Sequence, residues 1–405
     1  MKLIAEAYVK LVLAMGQHDP DYVDAYYGPP QWRTEAERTK RPLADIRSDA
    51  EAQIAALGSG PPADGDEMDQ LRHQYLGCQL SSLISRVDML AGKQLSFDEE
   101  SKALYDAVAP THTEAELEAM VAEMADLLPG DGPLVDRFET YRDGFVIAAD
   151  KVDQVFAVAI DACRERTKAH LELPAGESFE VETVTGKSWS AYNWYKGGFR
   201  SLIQVNTDLP IPIDRAVDLA AHEGYPGHHV YNVLLEQHLV RDRGWIEFSV
   251  YALFSSQSLI AEGTANYGIK VAFPGEERLA FERDVLFPLA GLDPAAAEGY
   301  AKVRVQLDKL SYAGNEAARR YLDGRIDAAG AAEWLSAHAM TPPARAEQRV
   351  RFFDQYRSYV INYNLGEDMV GDYIERRGGT ADQPAKRWDE FRKLLVSPRL
   401  PSGLR

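Results

Sequence analysis

Apolar residues recur at helical spacing through most of the chain. Near the N-terminus Ile4, Ala7, Tyr8, Leu11, Val12 and Met15 share one face. Residues 66–91 repeat the pattern with Leu71, Tyr75, Cys78, Leu80, Leu83, Ile84 and Val87. Thr113 followed by Glu116 has the form of a capping box, which predicts a helix over 113–128. A further long helix is expected over 145–171. Gly and Pro clusters at 58–62 and 129–133 mark loops. The period then changes. Residues 179–185 (FEVETVT) and 200–207 (RSLIQVNT) alternate as strands do, with the aromatic stretch WSAYNWYKGGF between them. From Asp214 the helical period returns and holds almost to the end. The expected fold class is mainly α: a multi-helix, metallopeptidase-like fold with a small β-sheet beside a metal-binding helix and a central cleft. It divides into an N-terminal helical half, 1–175, and a catalytic half, 176–405, interlocked as one domain.

Composition narrows the function classes. Among 405 residues, 63 Asp and Glu oppose 44 Lys and Arg, for a net charge of −19. Such a surface repels phosphate backbones and anionic lipid, so nucleic-acid and membrane partners are disfavoured. Cys78 and Cys163 are the only cysteines and form no Cys-x-x-Cys pair, so neither a thiolate zinc site nor a disulfide framework is expected. Glu6 and Lys10 interrupt the first apolar run, which reads as an amphipathic helix and not as a signal peptide. The expected compartment is the cytoplasm.

Three of the nine histidines fall within eight residues, in His222-Glu223-Gly224-Tyr225-Pro226-Gly227-His228-His229. A hydrolytic zinc site uses neutral imidazoles as ligands and a carboxylate to take a proton from water. In the common zincin pattern the second His follows the first by four residues. Here position 226 is proline and the next His is six residues on. On an ideal helix six residues give roughly 600° of rotation, so the two rings would diverge. The motif therefore requires a broken or bulged helix, and Pro226-Gly227 supplies the breaker. His229 shares the face of His222 but lies about 10 Å along an unbroken axis. This favours His228 over His229 as the second ligand and leaves both open. For the third ligand, residues 245–273 read as one long apolar helix with a single acid deep inside it, Glu262. A buried lone carboxylate is costly without a partner. Glu247, near the start of that stretch, is the alternative, expected to be a solvated acid.

This motif, followed by Glu262-Gly263 on a later helix, resembles domain-of-unknown-function family 885, a mostly bacterial group of predicted zinc metallopeptidases, some carboxypeptidase-like. The resemblance covers most of the chain and is strongest over 189–273. The eight-residue motif is specific, whereas Glu-Gly alone is weak. The family is similar to helical gluzincins, in which a Gly-His pair follows His-Glu after a variable gap. The resemblance implies His222, His228 and Glu262 as ligands of one Zn2+ and Glu223 as general base. One departure is that Glu262 precedes Gly-Thr-Ala where Gly-Trp-Ala is more usual. By the same likeness, the strand from Ser201 to Thr207 would add the substrate backbone to its edge.

Further assignments follow from the chemistry. An oxyanion needs a hydrogen-bond donor besides the metal, and Tyr312, Tyr359 and Tyr363 on late helices are the candidates, with Tyr312 and Tyr363 preferred. Arg357 is expected to grip a substrate carboxylate, with Tyr359 beside it. Trp189, Trp194 and Tyr195 are candidates for a specificity pocket. His229 is expected to touch the substrate or to bond a ligand carboxylate. The reading is a zinc-dependent hydrolase of peptide or amide bonds in short peptides or amino-acid conjugates. An amidohydrolase or esterase on a non-peptide substrate would use the same site. A catalytically dead metal-binding protein is the remaining alternative, and the intact Glu223 argues against it.

Overall fold

The computed structural model describes residues 1–60, 65–187, 189–208 and 210–405, so part of the loop expected at 58–62 lies outside the described residues. Helices form where the apolar period is clean. The first is Lys2–Met15, and Glu67–Leu90 follows with the Asp66 carboxylate accepting from the Asp69 N–H at its head. Thr113 and Glu116 bond each other's backbone in a reciprocal capping box at the head of Glu114–Ala125. The long helix expected from 145 begins later, at Val152, and runs to Lys168. The residues before it are drawn away by backbone bonding, with the Ile147 N–H donating to the Ile211 carbonyl.

The strands form two small sheets. β1 (Val23–Tyr26) pairs antiparallel with β5 (Val250–Ala252). β2 (Ser178–Val184), β3 (Ala191–Gly197) and β4 (Arg200–Asn206) form a three-stranded sheet in the order β2-β4-β3. β2 runs parallel to β4, and β3 antiparallel. β3 is the aromatic stretch to which the sequence assigned no element. β4 is central and bonded on both sides, so the strand expected to receive substrate backbone has no free edge. β3 is the edge strand on the cavity side.

The expected continuous helix over 245–273 is three elements: a 3-10 turn at Ile246–Ser249, β5, and the Ser256–Ala272 helix. An unbroken apolar run carries no period, and here pairing with β1 decides for strand over helix. Glu247 is fully buried and paired with Arg72, Nη2 at 3.0 Å from its carboxylate, and is not the solvated acid expected there.

One apolar core extends from Ile4 to Leu404 and crosses residue 175 without a break, through Phe156, Val217, Leu259 and Phe391. At its centre the Ser256–Ala272 helix crosses Ile361–Arg376 in backbone contact. A Cβ on Gly263 would lie 2.4 Å from the Gly366 carbonyl oxygen, and one on Gly366 would lie 2.7 Å from that of Leu259. The paired glycines set the tyrosine-bearing segment 359–363 directly over Glu262. Among the described residues no helix is long and apolar enough to cross a membrane.

Candidate metal centre

The metal motif is built on a broken helix. Asp214–Leu219 is regular, and then Ala220–Gly224 widens into a π turn closed by the Tyr225 N–H on the Ala220 carbonyl at 3.0 Å. Such turns insert one residue into a helix and recur at functional sites. After Pro226 the chain folds back, and Gly227 donates its N–H to the Ala221 carbonyl at 2.9 Å. A Cβ at Gly227 would lie 2.0 Å from the His222 carbonyl oxygen, so only glycine permits the approach. A new helix, His228–Leu235, starts at once. Gly227→Ala is therefore expected to lower stability by about 1–3 kcal/mol and to cost metal uptake, because relief of the overlap displaces His228. Thermal melts with and without added zinc check it, and an unchanged zinc-induced rise in the midpoint would refute it.

This geometry sets His222 Nε2 and His228 Nε2 3.1 Å apart, with Glu262 Oε2 at 3.3 Å from the first and 3.6 Å from the second. Two ligand atoms roughly 2.05 Å from a tetrahedral metal lie about 3.3 Å apart, so the three separations suit one ion. Two further observations bear on the fit. Among the described residues Glu262 Oε2 is buried without a hydrogen-bond partner, while Oε1 accepts from the Tyr359 hydroxyl at 2.7 Å. His222 Nδ1 faces Asn266 Oδ1 at 2.8 Å, which places the proton on Nδ1 and leaves Nε2 as a lone-pair donor. Asn266 is itself held by the Tyr363 carbonyl, at 2.9 Å. The electrostatics ask for positive charge at this point. Burial opposes protonation of His228, yet Glu262, Glu223 and Asp24 push its pKa up to about 9. Burial would raise Glu262, but His228 and His222 hold it well below the usual carboxylate range.

The cluster lies in the wall of a cavity of about 660 Å³. Glu223 lines it too, and its carboxylate makes no hydrogen bond or ion pair among the described residues. Its carbonyl is held by Asn193 Nδ2 at 2.7 Å, which fixes the turn against β3. Tyr363 also lines the cavity. Its hydroxyl bonds nothing among the described residues, and burial followed by the Glu262 charge holds it protonated.

Other expected residues are placed elsewhere. His229 is fully buried, with Nε2 3.0 Å from Glu177 and Nδ1 2.9 Å from the Ser201 hydroxyl, so it ties its helix to β4 and to the segment before β2. Glu177 is not part of the cluster. Burial would raise its pKa, but bonds from His229, Lys168 and Tyr225 bring it down to about 2. Tyr312 gives its hydroxyl to Asp368 at 2.6 Å and does not line the cavity. Tyr359 lines it but is committed to Glu262. Arg357 is turned to Glu100, Nε 2.7 Å from the carboxylate, and is not brought to the cavity. Of the three aromatic candidates Trp189 lines the cavity, whereas Trp194 bonds Gln204 and Tyr195 bonds Glu236.

Sequence reasoning missed Asp24, Asn193, Asn266 and Arg349, all of which line the cavity. Asn266 had a readable signal, since it lies one helical turn after Glu262. Asp24 sits on a strand with no visible pattern. Burial pushes its carboxyl up to about 6, against the hydrogen bond that Tyr192 donates.

No family model matches the chain, and no curated protein sequence does, so the resemblance to family 885 stands on its motif residues alone. Solved structures are similar in fold. A protein described as a lipoprotein from Colwellia psychrerythraea superposes with a TM-score of 0.55 at 14% identity, over 90% of this chain and 66% of that one. The chain thus spans just under two thirds of that protein's length. A lipoprotein of unknown function from Shewanella oneidensis gives a TM-score of 0.47 at 14% identity, over 92% and 75% of the two chains. An M32 carboxypeptidase from Deinococcus radiodurans gives 0.40 at 14% identity, over 98% and 90%. At such identities the likeness is one of fold.

Proposed function

We propose that the chain is a metal-dependent hydrolase that cleaves peptide or amide bonds in short peptides or amino-acid conjugates, as the resemblance to family 885 implies. The observation that carries this reading is the convergence of His222, His228 and Glu262 beside an unengaged Glu223 in one cavity. Two imidazoles, one carboxylate and no thiolate suit zinc, and three protein ligands are the set used where a fourth position serves reaction. Bound there, zinc would polarise the scissile carbonyl and acidify water. Glu223 takes the proton from the attacking water and hands it to the leaving amine. The Tyr363 hydroxyl donates to the oxygen that gains charge. The edge of β3, with Ala191 to Asn193 lining the cavity, is available to the substrate backbone. A cavity of about 660 Å³ takes a small ligand and not a folded chain.

Elemental analysis of protein purified without chelator, followed by a panel of dipeptides and acyl amino acids assayed with added zinc, tests the reading. One equivalent of metal and turnover abolished by chelation are expected. Metal below about a tenth of an equivalent, with no uptake on titration, would sink it.

A further inference from the structure

Most cations of the cavity wall are already engaged by the protein. Lys270 pairs with Glu367 at 2.7 Å, and Arg278 with Asp218 and Glu282 at 2.7 Å each. Arg304 pairs with Glu282 at 2.7 Å and Arg215 with Asp218 at 3.4 Å. Arg142 sits in the last turn of Leu134–Asp143, where the helix carbonyl end favours a cation, and its charge acts on Tyr300. Arg349 differs. Among the described residues it makes no hydrogen bond and no ion pair. What surrounds it is aromatic: its guanidinium carbon lies 4.6 Å from the Phe352 ring centre, 5.7 Å from that of Phe353 and 6.0 Å from that of Tyr363. It is largely withdrawn from solvent, and burial opposes its charge.

A guanidinium in this position is costly unless an anion completes it. A second arginine precedes Arg349 on the same helix. Arg345, one turn earlier on Pro343–Tyr356, is opposed by burial and then by the charges of Arg142 and Arg215. The geometry connects Arg349 to the cluster. Its guanidinium overlies Tyr363, whose ring centre is 5.8 Å from that of Tyr359, and Tyr359 bonds Glu262. Arg349 and the donor residues line the same cavity, with the rings of Tyr363 and Tyr359 between them.

We propose that Arg349 binds a carboxylate of the substrate, so that the cavity selects anionic peptides or acyl amino acids over their neutral amides. For its chemistry this rests on the hydrolase reading; for its binding it does not. A planar fork of donors matches a carboxylate with two parallel bonds, and the aromatic walls exclude the water that would weaken them.

Calorimetric titration with N-acetyl-phenylalanine, N-acetyl-leucine and N-acetyl-glutamate, each against its C-terminal amide, tests the proposal on the wild type, Arg349→Lys and Arg349→Met. The wild type is expected to bind at least one acid tenfold or more tighter than its amide. Arg349→Met should lose about 10–100-fold for the acid, as removal of a charged hydrogen-bonding partner does. It should leave the amide within about threefold, with Arg349→Lys between, because an ammonium keeps the charge but not the fork. The ligand-free thermal midpoint of Arg349→Met should equal or exceed that of the wild type, since the substitution removes a half-buried charge and breaks no hydrogen bond or ion pair among the described residues. Acid and amide binding alike, neither binding, or a midpoint several degrees lower in Arg349→Met would each overturn the proposal. Acid selectivity without hydrolysis removes the hydrolase reading and leaves Arg349 in its role. Equal hydrolysis of acids and amides does the reverse.

Discussion

Glu223→Gln is expected to lower turnover by on the order of 10²–10⁴ while metal content stays at one per chain. A loss of that size corresponds to about 3–5 kcal/mol of transition-state stabilisation. The amide keeps the size of the side chain but cannot accept a proton from water. The fold has no stake in the carboxylate, which makes no bond among the described residues, and the turn is held instead through the Glu223 carbonyl by Asn193 at 2.7 Å. The thermal midpoint should therefore stay near that of the wild type. Parallel measurement of turnover, metal and midpoint decides the role. Loss of metal together with rate would make Glu223 a ligand. Retained rate would remove it from the chemistry.

What the sequence made legible follows from what kinds of force leave a local trace. Helix caps and amphipathic faces do. Thr113 and Glu116 mark a helix start because they bond each other across three residues, and the structure has that box. The need for a break between His222 and His228 was legible as well, because ideal helix geometry excludes their meeting and Pro226-Gly227 interrupts it. The form of the break was not legible, since a π turn at Ala220–Gly224 leaves no composition signal. Contacts between distant segments leave the weakest trace. β5 was read as helix because its partner β1 lies more than 200 residues earlier, and an all-apolar run fits either period. Arg357 and Arg349 show the same limit. They lie eight residues apart on neighbouring elements, and nothing local says which one faces Glu100 and which the cavity. Only the fold separates them, by setting Arg357 against the buried Glu100 and Arg349 in the cavity wall.

The adjacent histidines allow the sharpest test, because the structure gives them opposite surroundings. His228→Ala is expected to weaken metal binding by orders of magnitude. It removes one of three donors and leaves Glu262 Oε2, already without a hydrogen-bond partner, facing His222 alone. His229→Ala should keep the metal and lose stability instead, by on the order of 1–3 kcal/mol, because Glu177 loses one of its buried bonds, keeping that from Tyr225, and the Ser201 hydroxyl loses its partner. The physical reason is the phase of the new helix. Beginning at His228, it turns that side chain toward His222, and a step of about 100° to the next residue carries His229 toward the sheet. The prediction thus pairs two readouts that move in opposite directions. Zinc titration followed by elemental analysis reports the first, and melts in the presence of chelator report the second. Metal retained in His228→Ala and lost in His229→Ala would reverse the assignment. It would mean that the second imidazole comes from the sheet side of the helix, and that Glu177, with its pKa near 2, belongs to the site after all.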